Sequence, residues 1–120
     1  MTLDGCDTLI ATADDTASGN IIFAKNSDRP PTETQPLVKH DRKTHSPDSI
    51  SKLEFISIPE TEVSYKHVGS RPYWCWGYEH GFNEHQVVIG NEALQSNLRP
   101  DKPTLTGMDL VRIGLERGSS

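Results

Sequence analysis

The apolar residues near the start of the chain fall in two short runs, Leu9-Ile10-Ala11 and Ile21-Ile22-Phe23-Ala24. Between them lies Asp14-Asp15-Thr16-Ala17-Ser18-Gly19, a stretch of turn formers. Short apolar runs separated in this way predict two strands, over residues 7–13 and 20–25, closing as a β-hairpin. Pro30 and Pro31 end the second strand, because proline has no N–H to give to a ladder. Residues 30–50 are polar and proline-rich, which predicts a long surface loop with a short extended piece at Leu37-Val38. Leu53-Glu54-Phe55-Ile56-Ser57-Ile58 predicts a third strand, ended by Pro59, and residues 63–68 a fourth. Residues 71–78 read as a compact aromatic segment, and Gly81-Phe82-Asn83-Glu84-His85 as a turn. Residues 86–92 predict a fifth, buried strand, and residues 95–105 a loop.

The period then changes. Met108, Val111 and Leu115 share one face of a helix. Thr106 is suited to its N-cap, and Asp109 three residues later makes a variant of the capping box. Strands first and a helix last predict an α+β layout, an antiparallel sheet with helices on one face. The helical pattern runs into Gly118-Ser119-Ser120, so the chain is expected to be the amino-terminal part of a longer protein.

Composition narrows the classes. Hydrophobic residues make up 33% of the chain, against a usual ~45–50% that also counts glycine, so a large core is not expected. The net charge is −5 and no basic cluster stands out, which argues against a nucleic-acid partner. No apolar run approaches the ~18–20 residues of a membrane span. The first residues lack the charged and apolar regions of a signal peptide, so a cytoplasmic protein with no membrane partner is expected. Cys6 and Cys75 are then expected as free thiols. The histidines show no i,i+4 pair, and there is no glycine-rich phosphate loop. Neither a metal nor a cofactor is expected.

The chemistry centres on Cys6. It stands at the start of the first strand, and Lys25-Asn26-Ser27-Asp28-Arg29 stands at the end of the second. A cation beside a thiol favours the thiolate. If residues 1–5 were removed, Cys6 would carry a thiol and a free α-amine together. An α-amine has a reference pKa of about 7.7–8, so it can act as a general base near neutral pH without a histidine. The plainer alternatives are a structural thiol for Cys6 and a surface ion pair for Lys25 and Asp28.

Six blocks of sequence carry a family resemblance. They are Cys6-Asp7-Thr8, Phe23-Ala24-Lys25-Asn26-Ser27-Asp28-Arg29, Ser70-Arg71-Pro72-Tyr73-Trp74-Cys75-Trp76-Gly77, Gly81-Phe82-Asn83-Glu84, Ile89-Gly90-Asn91-Glu92-Ala93, and Gly107-Met108-Asp109-Leu110-Val111-Arg112. In this order the chain resembles the secernin and dipeptidase family of N-terminal-nucleophile hydrolases. The resemblance covers residues 6 to about 117. It implies a four-layer αββα sandwich, represented here by its amino-terminal part, with residues 1–5 as a candidate propeptide and 6–120 as the hydrolase part.

The resemblance also implies roles. Cys6 would be the nucleophile, and Asp28 the carboxylate that holds its amine. Lys25 stands where related acylases carry an arginine, and Asn91 where they carry an oxyanion-hole donor. Arg71, Trp74 and Trp76 could line a substrate pocket, or the two tryptophans could be core. Asn83 and Glu84 read instead as turn-stabilising residues. The expected activity is hydrolysis of a dipeptide or similar small amide. Alternatives are an acylase acting on non-peptide amides, or a non-catalytic secernin-like protein of regulated exocytosis. Family members run to several hundred residues, so this 120-residue chain is also expected to lack pocket residues and could be inactive alone.

Overall fold

The hairpin forms where the two apolar runs predict it. The computed structural model describes residues 5–94, 97–98 and 100–120. Strands β1 (Asp7–Ala11) and β2 (Ile22–Asn26) pair antiparallel, with Asp7 opposite Asn26 and Ala11 opposite Ile22. A 3-10 turn at Ala13–Asp15 starts the connection, and the Thr12 hydroxyl donates to the Asp15 carboxylate at 2.7 Å.

Within residues 30–50 the extended piece expected at Leu37-Val38 forms, and a second short strand follows it. β3 (Leu37–His40) and β4 (Lys43–Thr44) form there. Residues 53–58 are not one strand. β5 (Ile50–Lys52) turns back on β6 (Ser57–Pro59), and Leu53 N–H donates to the Ile56 carbonyl at 2.8 Å. Leu53 and Phe55 share one parity while Ile56 and Ile58 share the other, so a straight strand would split its apolar residues between two faces. Residues 63–68 divide likewise into β7 (Val63–Ser64) and β8 (His67–Ser70). Tyr65 N–H between them donates to the Glu116 carbonyl at 2.8 Å.

The turn expected at residues 81–85 is mostly strand, β9 (His80–Asn83). The reversal comes later, where Gln86 takes a φ of 63°. The Asn83 carboxamide oxygen accepts from the backbone N–H of His85 and Val87, so this side chain does stabilise the turn. The fifth strand is shorter than expected and not central. β10 (Val88–Gly90) is the edge of a four-stranded antiparallel sheet ordered β10-β9-β8-β3.

The helix α1 (Gly107–Arg117) begins at the expected cap. Thr106 Oγ1 accepts from Asp109 N–H at 3.1 Å, and Asp109 Oδ2 accepts from Thr106 N–H at 2.8 Å. Val111 and Leu115 bury against Tyr78, with Ile89 packed beside them. Gly69 permits this packing, since a Cβ there would stand 2.3 Å from the Tyr78 ring.

The four-layer αββα sandwich is not formed. Among the described residues there is one α-helix, one four-stranded sheet and three two-stranded ribbons, β1-β2, β4-β7 and β5-β6. A sandwich needs two apolar inner sheet faces packed on each other. Here the helix covers one face, through Gly81 and Ile89, while Phe82 and Val88 on the other are about half exposed. No helix among the described residues is long and apolar enough to cross a membrane. Of the candidate propeptide, residues 1–4 lie outside the described residues, as do residues 95, 96 and 99 of the expected loop.

The helix-side face carries a histidine pair. His40 and His67 are opposite each other on β3 and β8, with ring centroids 5.1 Å apart. Burial, then the charges of Arg112, His67 and Arg71, pushes His40 down to about 4 from 6.5. Burial lowers His67 as well, against the opposing Tyr65 carbonyl and Glu116. A depressed pKa means the unfolded chain takes up protons that the folded chain refuses, so stability falls as pH drops from 6.5 toward 4. Each tenfold change in proton affinity is about 1.4 kcal/mol, less where water still reaches the ring. Urea unfolding at pH 7 and pH 4.5 is expected to show this loss, and His40→Gln to reduce it. An identical pH profile in the variant would remove His40 as its source.

Candidate functional site

Cys6 immediately precedes β1 and is half-buried. Along β2 and the three residues that follow it, Phe23, Lys25, Ser27 and Arg29 are half-buried while Ile22, Ala24, Asn26 and Asp28 are exposed. Side chains alternate across a strand, so the first set forms the inner face. Continuing the β1-β2 register by one step sets Cys6 level with Ser27, on that face. The next step brings Gly5 to Asp28, where Gly5 N–H donates to Asp28 Oδ2 at 3.4 Å. Asn26 Nδ2 donates to the other Asp28 oxygen at 2.8 Å and holds the carboxylate there.

The cation nearest this end of the hairpin is Arg29. Its guanidinium forks onto Glu33, with Nε to Oε1 at 2.6 Å and Nη2 to Oε2 at 2.9 Å. Nη1 lies 3.7 Å from Glu79 Oε1. The Glu33 hydrogen bond holds the Arg29 pKa above its usual value against burial, and the Glu33, Glu79 and Cys6 charges add to the effect. The same bond lowers Glu33, which also accepts from Trp74 Nε1 at 2.9 Å. The Arg29 guanidinium sits 5.8 Å from the Trp74 ring centroid. Glu79 is buried, and burial raises its pKa although Arg29 and Lys25 oppose this.

Asn91 reaches the same carboxylate. With its NH2 turned toward Glu79, its amide donates to Glu79 Oε2 and to the Glu79 carbonyl, both at 2.8 Å. Both amide hydrogens are therefore engaged. Lys25 lies two pairs along the hairpin from Cys6 and Ser27, opposite Thr8. Its side chain has no exposed area, and its Nζ is 3.5 Å from Glu92 Oε1. The Thr8 hydroxyl donates to that same Glu92 oxygen.

The three proposed pocket residues separate. Trp74 belongs to the Arg29 and Glu33 group. Trp76 stacks under the Arg112 guanidinium, 4.1 Å from its ring centroid, and its carbonyl accepts from Arg112. Arg71 lies among the charges felt by His40 and Tyr78, with its buried Nε unpartnered. Residues 71–78 form a turning segment rather than a strand, so alternation does not send their side chains to one wall. Cys75 is buried, and burial pushes its thiol up to about 11. It accepts from Gly77 N–H at 3.2 Å and is a poor nucleophile at neutral pH.

Sequence reasoning missed Arg29, Glu33 and Glu79. A signal existed for the first pair: Arg29 shares the parity of Lys25, and Glu33 follows it at the i,i+4 interval. Glu79, a carboxylate directly after the buried Tyr78, also carried a hint. A groove of about 910 Å³ lies further along the hairpin, lined by Ile10, Phe23, His80, Phe82 and Val88. It is apolar and does not include Cys6. Among the described residues, no group of three or more His, Cys, Asp or Glu is placed to hold a metal.

No family model matches the chain, and no solved structure matches it significantly.

Proposed function

We propose that this chain carries the nucleophile of a cysteine-dependent amide hydrolase acting on dipeptides or similarly small amides, like the secernin and dipeptidase family it resembles in sequence. The observation that carries the reading is the contact between Gly5 N–H and the Asp28 carboxylate, one residue before the half-buried Cys6. Hydrolysis of the Gly5–Cys6 peptide bond would free an α-amine beside that carboxylate. Asp28 is then within reach to hold the ammonium form and orient the amine.

The steps follow from the chemistry of such a residue. The α-amine takes the Cys6 thiol proton, directly or through one water. The thiolate adds to the substrate carbonyl and forms a tetrahedral oxyanion. Collapse breaks the C–N bond, and the ammonium of Cys6 gives its proton to the leaving amine. Water then hydrolyses the thioester, releases the acid and restores the thiol.

Arg29 is the cation assigned to the thiolate side of this site, in place of Lys25, whose ammonium is turned to Glu92. Asn91 remains the oxyanion donor that the resemblance implies. To act, it must release one amide hydrogen from Glu79.

The test is the intact mass and amino-terminal sequence of the purified protein. A chain beginning at Cys6 is expected. A mature chain that still begins at Met1 or Thr2 has no α-amine on Cys6, and overturns the mechanism.

A further inference from the structure

We infer that residues 33–40 form an edge strap latched by His40, and that acid releases the strap and takes Glu33 off Arg29. The strap is one continuous strip docked along residues 67–74. At its first residue, Glu33 holds the Arg29 guanidinium and accepts from Trp74 Nε1. The Thr34 carbonyl accepts from Tyr73 N–H at 3.0 Å, and the Pro36 carbonyl from Arg71 N–H at 3.1 Å. The Gln35 carboxamide oxygen accepts from Ser70 Oγ at 3.2 Å. Leu37 to His40, which are β3, then pair with β8. β3 is the edge of its sheet, and β8 is its neighbour there. A strip docked along one side can come away without opening the strands behind it.

The latch is the ring pair. His40, the last residue of the strap, stacks on His67 with 24° between the rings. Its Nε2 is buried and makes no hydrogen bond. His67 is set in its neutral form, because Nδ1 donates to the Tyr65 carbonyl at 2.7 Å and Nε2 accepts from the Tyr78 hydroxyl at 3.0 Å. The charges felt by His40 are Arg112 from α1, His67 from β8 when protonated, and Arg71 from the segment after β8. The carboxylate at this cluster, Glu116 on α1, is bonded to Arg112 and lies 3.9 Å from His67 Nε2. Beside His40 on its own strand, Lys39 pairs with Asp41. A proton on His40 therefore gains no counter-ion while the strap is closed. A proton on His67 can be shared with Glu116, and it then places another cation under the His40 ring.

Acid acts at this latch and not at the ends of the strap. The Arg29 hydrogen bond holds Glu33 below the usual carboxylate range. The Lys66 N–H does the same for Glu84, which anchors the chain just past the strap through Arg42 at 2.9 Å. Both carboxylates stay charged at pH 5, so neither end is loosened by titration. With the strap open, His40 returns to the ordinary 6.5, against about 4 when closed. The open form binds more protons, so opening grows as pH falls through this window. Release frees Arg29, the cation nearest the Cys6 end of the hairpin, from Glu33.

Hydrogen exchange of the full chain, read as protection factors at pH 7 and pH 5 with and without low urea, tests the strap. The residue 37–40 amides bonded to β8 are expected to lose protection about 10–30-fold at pH 5, with little response to urea. The α1 amides, which open with the whole fold, are expected to stay better protected and to respond to urea. The Trp74 indole N–H is expected to follow the strap. His40→Phe keeps a ring on His67, loses no bond at Nε2, and is expected to reduce the fall to a few-fold. His40→Gln serves the same comparison if the phenyl ring does not pack. Equal protection and equal urea response in strap and α1 would mean that the strip opens only with the whole fold, and would overturn the proposal. So would strap protection that is the same at both pH values, or a fall that persists in the uncharged variants. A Trp74 indole that stays protected while β3 opens overturns the release of Glu33. Hydrolysis plays no part in this readout, so failure of the hydrolase reading leaves the strap in place.

Discussion

Replacing Cys6 with alanine is expected to leave a folded protein that no longer hydrolyses dipeptides and still carries residues 1–5. The side chain lost is only half-buried, so little packing goes with it. The Gly5 N–H contact to Asp28 is made by backbone and survives the change. The thiol itself has no substitute. Cys75 is the only other cysteine, and its burial keeps it protonated at neutral pH. Loss of a covalent nucleophile costs about 10⁴-fold or more in turnover in enzymes that use one. Dipeptide hydrolysis and intact mass measured on the same preparation check both halves. Retained hydrolysis would show that another group attacks. Lost hydrolysis with normal removal of residues 1–5 would show that Cys6 serves turnover but not its own release.

Arg112→Met should cost the fold about 3–5 kcal/mol, because it leaves Glu116 buried without its partner. Both residues are buried on α1, and Arg112 Nε donates to Glu116 Oε1 at 2.9 Å. The guanidinium also donates to the Trp76 carbonyl at 2.9 Å and lies over the rings of Trp76 and Tyr78. It therefore ties the helix to the segment that leads into Glu79. Methionine replaces most of the volume and none of these bonds. His67 Nε2, 3.9 Å from Glu116, is a weak second partner because burial disfavours its charged form. Thermal unfolding is the check, with a Tm lower by about 10–20 °C for a domain of this size. Adding Glu116→Gln should recover much of the loss. A double variant as unstable as Arg112→Met alone would assign the cost to the lost ring and carbonyl contacts instead of the stranded charge.

The elements read well from sequence are those whose signals lie within a few residues. Thr106 and Asp109 are three apart and bond each other's backbone, so the start of the helix is written locally. The hairpin is similar, since β1 and β2 are joined by one short turn-rich connection. The misread elements depend on distant partners. Residues 81–85 carry turn formers, yet Gly81 is in β9, with its backbone against Val68 and the Leu115 side chain. The apparent buried strand at residues 86–92 became a short edge, because only Ile89 meets the helix side while Val88 faces out. The resemblance led to a four-layer sandwich, but the covered apolar surface supports a single helix on a single sheet face.

The same division runs through the candidate site. The sequence alone determined that Cys6 precedes one strand and Asp28 follows the next, and a hairpin with that register brings the two ends together. It also placed Lys25 near the end of the second strand, with Asp28 three residues on. Only the tertiary structure decided how Lys25 and Arg29 divide. Lys25 went to Glu92, and Arg29 to Glu33 and Glu79, since the order β10-β9-β8 brings β9 and the residues after β10 side by side under the hairpin. The Lys25–Glu92 and Arg29–Glu79 pairings are chosen by whichever partner the packed backbone brings within a few ångströms, and no spacing along the chain encodes those two choices.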